Sequence, residues 1–63
     1  MINDPRVVGI IKECGGKMFM SEKKWDKALD ELFESFKNYQ ESGNPKAKAV
    51  LKYVILASIL AGS

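Results

Sequence analysis

The sequence has no histidine, and its only cysteine is Cys14. Together these leave no Cys/His zinc site, no imidazole to partner a nucleophile and no intrachain disulfide. A single thiol suits a reducing compartment. Long apolar runs are also missing: the most apolar window, residues 54–61, is about half of the ~20 residues that cross a bilayer. Residues 1–6 lack the basic start and apolar run of a signal peptide, with Asp4 and Pro5 where that run would be. The chain therefore reads as soluble and intracellular. Net charge is only +2 and the signs are interspersed, which argues against a nucleic-acid binder, while the apolar run within residues 50–61 lacks the strongly charged opposite face of a membrane-surface helix. Sixty-three residues make at most one small domain, and such domains bury only ~60% of their unfolded surface.

What is present is helical periodicity. Trp25, Ala28, Leu29, Leu32, Phe33, Phe36 and Tyr39 recur at steps of three and four, which places them on one stripe. Asp26, Lys27, Asp30, Glu31, Glu34 and Lys37 fall on the other face. Before this segment, Asn3-Asp4-Pro5 is a helix start, a capping side chain followed by proline at the first helical position. Val7, Ile11, Cys14 and Met18 then form a stripe, with Val8, Gly15 and Phe19 beside it. Met18 and Phe19 continue that stripe past Gly15-Gly16, so the glycines are read as the close crossing of a second helix rather than a break. Cys14, on the stripe, is expected to be a buried, inert thiol.

Ser21 is the expected cap of the second helix, which ends near Gly43 in a left-handed cap conformation. Asn44-Pro45 repeats the start device. The third helix carries Lys46, Lys48 and Lys52 early and then becomes apolar on all sides, which leaves a face with nothing to cover it. The expected helices are 5–20, 22–41 and 45–61.

Gly16-x2-Phe19 followed by Ala28-x3-Leu32 is a degenerate form of the tetratricopeptide pattern, with Lys12 and Gly15 departing from it. An ordinary helical hairpin accounts for the same residues equally well. The fold class is all-α: a tetratricopeptide-like hairpin plus the first helix of the next repeat. Gly15, Gly16, Phe19, Trp25, Ala28, Leu32, Phe36 and Tyr39 are its packing residues. Lys23, Lys24, Leu56 and Leu60 are its candidate interface. With Lys17 and Lys27, Lys23 and Lys24 could form a basic knob for an acidic partner, although ordinary surface lysines are the simpler reading. The carboxylates Asp30, Glu31 and Glu34 are read as a solvated helix face, so neither catalysis, metal nor cofactor is expected. A repeat and a half is short of the ~3 units that stabilise a solenoid. The chain is thus expected either to be part of a longer array or to self-associate through residues 50–61.

Asp4-Pro5-Arg6, Glu13-Cys14-Gly15-Gly16-Lys17-Met18, Phe36-Lys37-Asn38-Tyr39, Glu41-Ser42-Gly43 and Leu51-Lys52-Tyr53 resemble the subunit 2 family of the COP-9 signalosome, over essentially the whole chain. The paralogous proteasome-lid family shares the aromatic second helix and Leu51-Lys52-Tyr53, but lacks the run from Glu13 to Met18. The resemblance implies a scaffold of helical repeats leading into a winged-helix PCI module, which this chain does not contain. It implies partners among the subunits of that complex and cullin-RING ubiquitin ligases, whose cullins the complex deneddylates through another, zinc-binding subunit. It also implies a cytoplasmic and nuclear location. No functional residue is carried over from the resemblance. The remaining alternative is a self-contained homodimeric helical module.

Overall fold

A computed structural model describes residues 4–62. Three helices of 17 residues follow one another: α1 (Pro5–Ser21), α2 (Trp25–Glu41) and α3 (Lys46–Gly62). The starts of α1 and α3 use the same device. Asp4 Oδ1 accepts from the Arg6 amide at 2.9 Å, and Asn44 Oδ1 accepts from the Lys46 amide at 2.9 Å, satisfying amides that have no partner within the helix. Asn3, read as part of the first start signal, lies outside the described residues.

Both inter-helix turns close in the same way. Gly43 sits at φ 69°. Its amide donates to Gln40 O, and the Asn44 amide donates to Tyr39 O at 2.8 Å, the paired bonds of a Schellman cap. At the end of α1, Lys23 donates to Met20 O and Lys24 to Phe19 O at 2.9 Å, and here a lysine, at φ 61°, holds the left-handed position. This turn displaces the expected second start. Ser21 is the last residue of α1, its hydroxyl donating to Met18 O. Helix α2 begins three residues beyond the expected boundary, with Lys24 at its N-cap and no side-chain cap bond.

Helix α2 lies between the other two, which barely touch each other. Its buried residues Ala28, Leu32, Ser35 and Tyr39 form the face opposed to α1. Leu32 lies over Gly16 and Tyr39 over Gly9, so α1 and α2 are antiparallel. On the α3 side, Phe36 lines a groove with Ala47 and Leu51, while Trp25 and Ala61 line another at the far end. Val50 and Ala57 complete the core on α3.

The two adjacent glycines differ. A Cβ on Gly16 would stand 2.5 Å from Leu32 Cγ, whereas one on Gly15 would meet only the Glu31 carboxylate, at 3.3 Å. Gly9, two turns before Gly16, is equally constrained: a Cβ there would lie 2.7 Å from the Tyr39 ring. This approach turns α1 half a revolution from the expected orientation. Val7, Ile11 and Met18 are 38, 61 and 56% exposed, and Cys14 is exposed rather than buried. Close backbone contact through glycine takes precedence over burial of the branched stripe. Phe33 also departs from the expected α2 stripe: it is half-exposed, with Lys37 Nζ 4.9 Å from its ring centroid.

Gly16→Ala is expected to lower the free energy of unfolding by about 1–3 kcal/mol through overpacking. Gly15→Ala should leave it unchanged or raise it by up to ~1 kcal/mol through helix propensity. Equal effects in urea denaturation would refute this asymmetry. Lys23→Gly is expected to raise stability by about 1 kcal/mol by relieving the left-handed lysine, read in the same titration.

Candidate interaction surfaces

Glu13 on α1 joins all three helices. Its Oε1 accepts from the Tyr39 hydroxyl of α2 at 2.5 Å, and its Oε2 pairs with Lys17 Nζ at 2.7 Å. The same ammonium lies 5.2 Å from the Tyr53 ring centroid on α3. Burial pushes the Glu13 carboxyl up, but the hydrogen bonds from Lys17 and Tyr39 outweigh it and hold the group below its usual range. Burial, reinforced by the Glu13 carboxylate, pushes the Tyr39 phenol up to about 12. Nearby, the buried Ser35 hydroxyl donates to Gly9 O at 2.7 Å, and Lys12 pairs with Glu31 at 3.0 Å. Neither Gly9 nor Ser35 was singled out from sequence. Glycines spaced by two turns were a usable signal for the first, while an inward serine on a polar-looking step carried none.

This network fixes which faces remain open. On α1, Val7, Ile10, Ile11 and Met18 point outward as an apolar stripe that contains Cys14. On α3, the buried side carries Ala47, Val50 and Ala57. The opposite side carries exposed Lys48 and Lys52, then Ile55, Leu56 and Ile59 at 52, 46 and 63% exposure. Both ends of the three-helix row therefore present apolar faces of the kind that mark contact sites. The outer side of α2 is instead polar, with Asp26, Asp30, Glu34 and Glu41 exposed.

Of the sequence-derived packing residues, Gly16, Ala28, Leu32 and Tyr39 are buried, while Gly15, Phe19, Trp25 and Phe36 are half-buried. Lys23 and Lys24 are exposed in the first turn, beside Trp25 and Lys27. Leu56 is exposed on α3 and Leu60 is half-buried, so the tentative interface divides between two separate regions. Among the described residues, no group of three or more His, Cys, Asp or Glu side chains is placed to hold a metal ion. No helix there is long and apolar enough to cross a membrane.

The Tyr39 phenol keeps its proton when folded between about pH 10 and 12, where the unfolded chain loses it first. Its contribution to stability is therefore complete below pH 10 and declines as pH rises toward 12. Phenolate absorbance of the native protein should show one late transition that Tyr39→Phe removes. An unaltered titration in that variant would contradict the assignment.

No family profile matches the chain, and no solved structure does. Among curated proteins, subunit 2 of the COP9 signalosome complex from Dictyostelium discoideum is 56% identical over 59 residues, covering 94% of this chain and 13% of the relative. The subunit 2 proteins of Schizosaccharomyces pombe and Drosophila melanogaster are 52% and 49% identical over 62 and 59 residues, covering 98% and 94% of this chain. The chain spans 14% and 13% of those two relatives. Over nearly its whole length, then, this all-helical chain belongs with a segment of the COP9 signalosome subunit 2 family.

Proposed function

We propose that the chain is a non-catalytic scaffold segment, one stage of a helical-repeat array in a signalosome subunit of the subunit 2 type. The observation carrying this reading is a helical row left apolar at both ends, in a chain about half identical to a segment of those subunits. A row open on α1 and on α3 is suited to transmit position between neighbours: its own polar network is spent on holding α1 against α2. Partners under this reading are other subunits of the complex and, through them, cullin-RING ligases whose cullins are deneddylated. The place of action is then the cytoplasm and nucleus. Catalysis belongs elsewhere under this reading, since Glu31 and Glu34 on α2 are paired with Lys12 and Lys37 and Glu13 is engaged by Tyr39 and Lys17.

The test is replacement of the matching segment in the Dictyostelium discoideum subunit by this chain. The hybrid is expected to co-purify with the other subunits and to keep cullins in their unmodified form. The same hybrid carrying Gly16→Leu should lose assembly. A hybrid that accumulates and folds normally yet stays outside the complex would sink the proposal.

A further inference from the structure

Helices α1 and α3 open with one device, Asp4-Pro5-Arg6 and, 40 positions later, Asn44-Pro45-Lys46. In each, the capping oxygen accepts from the amide two residues on. Laid over one another at that spacing, the two helices exchange inside for outside. On α1, Gly9 and Gly16 are buried and Lys12 and Glu13 half-buried, because α2 covers them. Their counterparts Ala49, Leu56, Lys52 and Tyr53 are all exposed, and together they line one groove on the outer face of α3. The inversion also runs the other way. Ala47, Val50 and Ala57 are buried and Val54 half-buried, whereas Val7, Ile10, Lys17 and Cys14 are exposed. Like units stacked in a row produce this pattern, since each first-type helix then meets a second-type helix on two different faces. Here α1 uses one of those faces and α3 the other.

We infer that the groove of Ala49, Lys52, Tyr53 and Leu56 receives the next helix of the array, one that lies on α3 as α2 lies on α1. The inference rests on the scaffold reading and specifies the chemistry of the neighbour. Lys12 pairs with Glu31 of α2 at 3.0 Å. Its counterpart Lys52 enters no salt bridge among the described residues, so it takes a carboxylate from the same place on the incoming helix. The next residue of α2, Leu32, sits over Gly16. On α3 that place is already filled by Leu56, and leucine against leucine would overpack. The incoming helix therefore carries an acid followed directly by a small residue, where α2 has Glu31-Leu32. A second copy of this chain offers no such helix, because the matching face of its α2 is covered by its own α1.

The test extends the full chain with a copy of residues 24–41 joined directly after Ser63, which places the copy 40 positions beyond the original. The copy carries Leu32→Ala in one extension, is unchanged in a second, and carries Leu32→Ala with Glu31→Gln in a third. Carbodiimide joins a lysine and a carboxylate in contact as an amide, and peptide mass mapping identifies the pair. Lys12 coupled to the original Glu31 marks the folded chain and should form in all three. Lys52 coupled to the copied Glu31 is expected in the first extension and absent from the third. Its yield should be roughly tenfold lower in the second, where leucine meets leucine. Amide hydrogen exchange over residues 49–56 should slow roughly tenfold in the first extension relative to the unextended chain. Equal yields from the first two extensions would overturn the inference. So would a copied helix that couples to Lys17 instead, or one that slows no exchange on α3. Neither readout involves assembly of a complex. A successful segment replacement beside an undocked copy defeats this inference alone, and a docked copy beside an unassembled hybrid counts against the scaffold reading.

Discussion

The close approach of α1 and α2 depends on two missing side chains. Gly9 and Gly16, two turns apart, face Tyr39 and Leu32, also two turns apart on the antiparallel partner. Where a Cβ would stand within van der Waals distance of a ring or a leucine branch point, the backbone comes in instead. That proximity brings the Ser35 hydroxyl to the Gly9 carbonyl and the Tyr39 hydroxyl to Glu13. It also determines which side of α1 faces the solvent, because the glycine edge and the branched stripe lie on opposite sides of one helix. The apolar face of α1 follows from the packing of its glycines.

The electrostatic arrangement follows the same geometry. Buried polar groups require partners, and each one near the crossing has found its own: Ser35 a carbonyl, Tyr39 a carboxylate, Glu13 an ammonium as well. Among the described residues no buried side-chain nitrogen or oxygen lacks a hydrogen bond. The interior is thus closed electrostatically while the outside of the row is left open. Helix α3 carries lysines and no acid, whereas the outer side of α2 mixes its acids with Lys27 and Lys37, which distinguishes the two surfaces chemically.

Much of this was legible in the sequence. The Asp4-Pro5 and Asn44-Pro45 starts, the Gly43 turn, the continuity of α1 through its glycine pair and the one-sided burial of α3 follow from local rules that act within a few residues. What could not be read was rotation. Periodicity groups Val7, Ile11, Cys14 and Met18 on one side of a helix, but it does not say whether that side faces a neighbour or water, and small residues on the other side settled the matter. The Lys23 turn was hidden for a different reason. Lysine has no preference for positive φ, so nothing in the sequence marks the local cap whose bonds to the Met20 and Phe19 carbonyls move the start of α2 beyond Ser21.

Helices α1 and α3 each lean on α2 and scarcely on one another, Lys17 and Tyr53 being a rare link. The unit is therefore two hairpins sharing a strut, and its contacts join neighbours in sequence. Such topology forms rapidly, since little loop entropy is lost before the first contacts are made. Cooperativity in such a row passes from neighbour to neighbour. Unravelling can start at either outer helix and leave one hairpin standing, whereas melting α2 dismantles both.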